Sequence, residues 1–464
     1  MIRDKCAVFG TMDPSQDVAR LVFFGLFALQ HRGQESSGIV VTDGTTLKRH
    51  ADLGLVSQVF DEEALSNLKG FAGIGHNRYS TTGSSTLANA QPIIVTGKDG
   101  EPLALAHNGN IVNAPELREE LVERGYVFHA TTDTEVIANL ILASPGRDWA
   151  ERVTTACRRL IGAYSIVLLT KHSLIAVRDP LGVRPLCLGR IGNAPVVASE
   201  SCALDHIGAT FERDIQPAEV LVCSPEAAES RFVTGERRRA FCVFEHIYLA
   251  RADSTLDDQL TYEARQRMGA QLWKEHPVEA DLVVSVPDSA TPAAIGFSSA
   301  SGIPFAEGLL KNRYVGRTFI SPDQRLRDLG VQLKFNPVTD MIAGKRLVVV
   351  DDSIVRGTTT PHVVGLLRRA GAKEIHLRIC APPIQHPCYL GVDMATQDEL
   401  IAARKTVEEI RRHVGADTLG YLSLSGLLKS VQRPREDLCM ACFTGDYPVP
   451  VQMGLGKFAL ETAA

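Results

Sequence analysis

Up to about residue 235, apolar positions come in short alternating runs broken by Gly, Asn and Asp: CAVFGT, GIVVTDGTTLKRH, GFAGIGHNRYST, PLALAHNGNI, YSIVLLTKHSLIAVRD and VVASES. Period-two runs of this length between turn residues predict antiparallel strands. Two longer stretches, residues 18–30 and 133–142, carry the i, i+3, i+4 spacing of amphipathic helices. Past the basic stretch GERRRA the rhythm changes. DLVVSVPDS leads into TPAAIGFSSASG, KRLVVVDDS into TTTPHVVGLLRRAG, and EIHLRICAPP follows. Apolar runs alternating with helical segments predict βαβ units and a parallel sheet. The boundary falls at about residue 236.

Composition narrows the class without deciding the chemistry. The 464 residues are 45% apolar and 22% charged, the balance of an ordinary globular chain. A net charge of −5 gives no overall attraction to nucleic acid or an anionic membrane. No apolar run reaches the roughly 18 residues of a membrane span, and MIRDKCAVFG lacks a signal-peptide core, so a cytoplasmic location is expected. In that compartment the ten cysteines are not expected to form disulfides. Cys157, Cys187, Cys202, Cys223 and Cys380 lie in apolar or mixed stretches and read as small buried hydrophobes.

In the second half the most informative segment is LVVVDDSIVRGTTT, residues 347–360. A buried strand ends in Asp351 and Asp352, and a loop with Ser353, Arg356, Gly357, Thr358 and Thr359 opens a helix. Ligands bind open α/β sheets at the carboxyl ends of their strands, and helix N-termini bind phosphate. Adjacent acids there suit ribose hydroxyls or Mg2+; on residue types alone they also suit capping, with Gly357 merely turning the chain. The order resembles the phosphoribosyl-diphosphate (PRPP) signature of type I phosphoribosyltransferases. That resemblance implies that Ser289, in VSVPDSATP, contacts the metal, although the residues alone read there as a turn and helix cap. It also makes KNRYVGRTFI, with Lys311, Arg313 and Tyr314, a flap over the phosphates rather than a solvated basic loop.

In the first half Cys6 is followed by LQHRGQESSG (29–38), GHNRYSTTG (75–83), HNGN (107–110) and TDTE (132–135). Each is weak alone; HNG is a common turn, and an Asp between threonines is a routine cap. As an ordered set they resemble class II glutamine amidotransferases, which are N-terminal-nucleophile hydrolases. The resemblance makes Cys6 the nucleophile, Asn108 and the Gly109 backbone the oxyanion hole, Arg78 the carboxylate clamp, Asp133 the amine ligand and Gly33 part of the pocket lining. The α-amine of a first-position Cys6 has a pKa near ~7.7 and can shuttle the proton. Exposing that amine requires removal of residues 1–5, so a propeptide is expected. Ala7 departs from the glycine usual in the family.

Together the halves resemble amidophosphoribosyltransferases over nearly the whole chain. The implied architecture is an α+β N-terminal-nucleophile hydrolase domain, an αββα sandwich, over residues 6–236. An α/β type I phosphoribosyltransferase domain with a cysteine-rich tail follows over residues 237–464. The implied reaction hydrolyses glutamine and delivers ammonia to carbon 1 of PRPP, giving 5-phosphoribosylamine and pyrophosphate. Cys242, Cys388, Cys439 and Cys442 could bind Zn2+ or a [4Fe–4S] cluster, and spacing does not decide between them. Their contexts AFCVFEHIY, HPCYLG and CMACFTG resemble the iron–sulfur, propeptide-bearing branch, which implies the cluster alongside Mg2+. Feedback inhibition by purine nucleotides and a homotetramer are further implications of the resemblance. Glucosamine 6-phosphate and asparagine synthases share the first half but have no reason to carry VVVDDSIVRGTTT. A non-catalytic PRPP or nucleotide sensor would have lost at least one of Cys6, Arg78, Asp133, Asp351 and Asp352, and all are present.

Overall fold

The computed structural model describes residues 6–79, 83–225, 227–234, 238–312, 334–394, 396–451 and 460–461. Residues 1–5, and Arg313 and Tyr314 of the expected flap, lie outside them.

Among the described residues, thirteen strands fill the first half: β1 (Ala7–Met12), β2 (Ser36–Thr42), β3 (Leu47–Leu53), β4 (Ala72–Arg78), β5 (Ile93–Thr96), β6 (Pro102–Ile111), β7 (Gly162–Leu169), β8 (Leu174–Arg178), β9 (Cys187–Ile191), β10 (Ala194–Ala198), β11 (Thr210–Asp214), β12 (Glu219–Cys223) and β13 (Ala228–Phe232). They form a seven-stranded sheet ordered β11-β9-β10-β1-β4-β2-β3 and a six-stranded sheet ordered β13-β12-β8-β7-β6-β5. Alternation along each strand feeds two cores. Val8, Val40 and Ile74 of the first sheet meet Ala104, Ala106 and Val167 of the second between the layers. Ala7, Phe9 and Ile39 turn outward onto Val18, Val22 and Leu26 of the helix Val18–Ala28. On the far side Leu103, Leu105 and Ile166 pack under the helices Ala114–Glu123, Asp133–Ala143 and Trp149–Cys157. The result is an αββα sandwich. The helix expected over 18–30 ends at Ala28; its start is fixed by Asp17, whose carboxylate accepts the Arg20 N–H.

The second half opens with β14 (Phe241–Cys242), a π-helical turn Glu245–Leu249, and the hairpin β15 (Thr255–Leu256) and β16 (Gln259–Leu260). Its main sheet is parallel and runs β17 (Leu282–Ser285), β20 (Arg346–Asp351), β21 (Glu374–Ile379), β22 (Thr418–Tyr421). Between the first two come β18 (Leu309–Lys311) and β19 (Phe335–Pro337), which pair with each other, and β23 (Leu438–Cys439) returns to β14. Both faces of the parallel sheet are covered. Leu347 and Val349 pack with the helices Thr359–Arg369 and Val407–Val414, while Val348 and Val350 pack with Met268, Phe297 and Leu427. This explains why its strands read as unbroken apolar runs. Val112, Ala163 and Val183 of the first half join that second core, so the halves share buried contacts. Among the described residues, no helix is long and apolar enough to cross a membrane.

Candidate functional site

Cys6 precedes β1 at the end of the first sheet, and its thiol donates to Tyr79 O (3.3 Å). Burial pushes the thiol up to about 11, with Glu35 and Asp133 adding to the rise and the Tyr79 carbonyl and Arg78 opposing it. Those neighbours come from three directions. Arg78 ends β4, where its guanidinium donates to Ser84 O (3.1 Å) and stands 3.8 Å from Glu35. Burial lowers its pKa more than Cys6, Glu35 and Asp133 raise it. Asp133 does not act as a helix cap; it occupies the first helical position, where its carboxylate accepts the Ile111 N–H (3.0 Å). The β4 and β6 ends are tied where His76 Nε2 meets His107 O (3.0 Å), and burial pushes that imidazole down to about 3, so it is neutral and donates.

Asn108 and Gly109 follow His107 on β6. The Asn108 Nδ2 group is buried and has no hydrogen-bond acceptor among the described residues. Gly109 admits no side chain, because a Cβ there would overlap Ala163 O across the ladder. Gly33 is constrained similarly: a Cβ would lie 2.6 Å from Asn77 O and 2.8 Å from the Arg78 carbonyl carbon. The extra methyl of Ala7 lies in the core beneath the helix Val18–Ala28.

The second site lies at the carboxyl ends of β17 and β20. Asp352 accepts hydrogen bonds from Ser289 and Ser353 (both 2.6 Å). Ser289 therefore serves the acid pair and does not cap the helix Thr291–Ser301. Asp351 accepts the Asp352 N–H (2.9 Å). Burial, then the neighbouring Asp352 charge, pushes Asp351 well above the usual carboxylate range. Burial raises Asp352 as well, against its serine bonds and Arg265. The following loop turns at Gly357 (φ 67°), where a Cβ would overlap Ile401. Thr358 and Thr359 open the helix Thr359–Arg369, and Arg356 pairs with Glu399 (2.6 Å). Lys311 reaches Asp288 (2.5 Å) at the root of the expected flap.

Cys242 and Cys439 stand opposite each other in the β14–β23 register. The Cys442 thiol is pushed up by burial and then by Cys242, Cys439 and Cys388, so the four sulfurs share one electrostatic environment. Among the described residues no disulfide is formed, and no group of three or more His, Cys, Asp or Glu stands in a ligating arrangement. The donor chemistry nonetheless suits a thiolate-bound centre, since the four side chains that share this electrostatic environment are all thiols. The five cysteines expected to be structural are buried.

Some participants are singled out by no motif, although Arg32 lies within LQHRGQESSG. Lys334 lowers Asp351, and Arg265 lowers Asp352 while donating to His246 O (2.9 Å) and Ala250 O (2.7 Å). Buried Arg32 donates to Cys6 O (3.2 Å) and pairs with Glu200 and Glu245. A lone Arg or Lys in a single sequence reads as surface, and only its burial here signals otherwise.

Residues 76–206 match the glutamine amidotransferase domain family. The whole chain is 49% identical to the amidophosphoribosyltransferase of Synechococcus elongatus, covering 99% of this chain and 94% of that protein. The chain belongs to the amidophosphoribosyltransferase family. The Bacillus subtilis amidophosphoribosyltransferase is 46% identical over 97% of this chain and 95% of its own. The solved glutamine PRPP amidotransferase from B. subtilis, complexed with ADP and GMP, superposes with a TM-score of 0.91 at 45% identity, covering 97% of this chain and 98% of that one. The sandwich is thus the N-terminal-nucleophile hydrolase half of an amidophosphoribosyltransferase, and the parallel sheet its phosphoribosyltransferase half. As an enzyme of this family, the protein catalyses the first step of purine biosynthesis.

Proposed function

We propose that Cys6 and the strand-end acids form two consecutive catalytic centres, joined by ammonia. At the first, Arg78 binds the glutamine α-carboxylate and Asp133 the α-amine, with Gly33 keeping the pocket wall thin. The thiol of Cys6 gives its proton to its own α-amine once residues 1–5 are removed, and the thiolate attacks the carboxamide carbon. The developing oxyanion accepts hydrogen bonds from Asn108 Nδ2 and Gly109 N–H. The amine returns the proton to the departing ammonia, and water hydrolyses the thioester to glutamate. The observation that carries this half is the buried Asn108 Nδ2 without an acceptor beside Gly109, since an unmet buried donor is costly unless a ligand uses it. The guanidinium of Arg78, destabilised by burial, likewise gains from a further carboxylate.

At the second centre ammonia attacks carbon 1 of PRPP as the bond to pyrophosphate breaks. Asp351, Asp352 and Ser289 supply hard oxygen donors suited to Mg2+, which binds through one or two carboxylates and substrate phosphates. Bound there, Mg2+ would neutralise charge on the leaving pyrophosphate. The raised pKa values of both acids fit a site whose counter-charge from Lys334 and Arg265 does not offset burial until its ligands arrive. Residues 353–359 wrap the 5-phosphate, and Lys311, Arg313 and Tyr314 belong to the flap. Cys242, Cys388, Cys439 and Cys442 hold a structural [4Fe–4S] cluster that ties the tail to the start of the second half. Purine nucleotides inhibit by feedback, a reading supported by the ADP and GMP in the B. subtilis complex. Copies associate as a homotetramer, consistent with the outward-facing Phe24 and Phe27 on the helix Val18–Ala28.

The test is a donor comparison. Asp352→Asn is expected to abolish pyrophosphate release with either glutamine or ammonium, whereas Asn108→Ala abolishes only the glutamine reaction. Asn108→Ala that lost both, or neither, would refute the division of labour. Iron and sulfide analysis of anaerobic protein tests the cluster: activity retained after complete removal of iron and zinc would count against it.

A further inference from the structure

Three residues after Cys388 touch the glutamine site although they belong to the other half of the chain. Asn110 Nδ2 donates to Tyr389 O (2.8 Å). Arg184, fully buried, donates to Leu390 O. Gly391 (φ 98°) lies so close that a Cβ on it would stand 2.9 Å from the Gly109 carbonyl carbon, 3.1 Å from the Gly109 oxygen and 3.2 Å from Arg184 Nη2. On the other side of Gly109 runs β7, where Ala163 O leaves no room for a side chain. Gly109 is therefore flanked by β7 on one side and, at its carbonyl, by residues 389–391 on the other.

A second connection starts from the same arginine. Arg184 Nη1 faces Glu245 (3.6 Å), Glu245 pairs with Arg32 (3.1 Å), and Arg32 Nε donates to the carbonyl of Cys6 (3.2 Å). All three of these charged side chains are essentially inaccessible to solvent. The loop is itself anchored at Cys388, whose N–H donates to Met394 O (3.0 Å).

We propose that residues 389–391, with Arg184, are a positioning element for the oxyanion hole: by fixing the Gly109–Asn110 peptide they orient the adjoining Gly109 N–H for glutamine hydrolysis, and they play no part in PRPP chemistry. The proposal rests on the reading of Gly109 as an oxyanion donor. Stabilising an oxyanion requires donors that are already in place, and a misplacement of about 1 Å costs roughly 100-fold in rate. A segment packed on the peptide that follows one such donor, and itself held by Arg184 and Asn110, controls the glutamine rate without touching glutamine. Because it adjoins Cys388, disorder at the four-cysteine centre would reach the glutamine reaction first.

The test uses the full-length, anaerobically purified enzyme with Gly391→Ala. The glutamine kcat is expected to fall about 10- to 100-fold, with glutamine KM and the ammonium-dependent rate within about twofold of wild type. Labelling of Cys6 by the glutamine analogue 6-diazo-5-oxo-norleucine, followed by mass spectrometry, should slow by a similar factor at unchanged iron content. Should Gly391→Ala not fold, Asn110→Ala, which removes the bond to Tyr389, is expected to show the same pattern more weakly. Equal loss with both donors, a rise in KM alone, or no change would each overturn the proposal. Gly109→Ala run alongside separates the two levels. If it leaves the glutamine kcat intact, the oxyanion reading fails and takes the proposal with it. If Gly109→Ala loses activity and Gly391→Ala does not, the proposal alone is overturned.

Discussion

With residues 1–5 still in place, the Cys6 thiol should be almost inert at neutral pH. Its proton is held to about 11, chiefly by burial and then by Glu35 and Asp133, against the Tyr79 carbonyl and Arg78. At pH 8 a group with that pKa is about 0.1% thiolate, whereas an ordinary cysteine near 8.5 is about one-quarter ionised, so the thiolate is depleted roughly 200-fold. Alkylation by iodoacetamide, quantified on the Cys6 peptide by mass spectrometry, should therefore rise about tenfold per pH unit up to about pH 11. With residues 1–5 removed, as proposed, the α-amine near ~7.7 can take the proton, and labelling by 6-diazo-5-oxo-norleucine should level off above about pH 8. A plateau by pH 8.5 in the unprocessed chain would refute the reasoning, because it would require a thiol that burial does not hold protonated.

Three other outcomes follow from the same structure. Asp352→Asn should raise the thermal midpoint while removing activity. An acid whose folded pKa lies above its unfolded value costs stability increasingly as pH rises through the unfolded pKa, so the gain should appear at neutral pH and vanish near pH ~3. For the same reason the PRPP KM of the wild type should climb on acidification at a pH above the ~3.9 of an ordinary Asp, checked by initial rates between pH 8 and 5. Glu245→Gln leaves Arg32 and Arg184 buried without their shared carboxylate, and should lower stability by roughly 3–5 kcal/mol in anaerobic denaturant titration.

What was legible in the sequence is what recurs locally. The two acids stand at the end of an apolar strand, Cys6 stands immediately before another, and C-x-x-C marks half of the proposed four-thiol centre. The strand–helix alternation placed β17, β20 and β21 because covered parallel strands leave unbroken apolar runs. β22 escaped notice because Thr418–Tyr421 is four residues of mixed polarity, recognisable only through its pairing with β21. The buried charges Arg32, Arg184, Glu200, Glu245 and Arg265 were illegible for a different reason. Their significance lies in partners up to 213 positions away, and nothing in a single sequence distinguishes a buried Arg from a solvated one. The role of Ser289 shows the same limit: its local setting reads as a cap, and only the fold brings it to Asp352.

The most direct measurement is PRPP-dependent pyrophosphate release on anaerobically purified, processed protein, with glutamine and ammonium as alternative donors, for the wild type and for Cys6→Ala. Two joined centres predict release with both donors in the wild type and loss of only the glutamine reaction in Cys6→Ala. Release with neither donor, or a Cys6→Ala enzyme that still uses glutamine, would contradict the account.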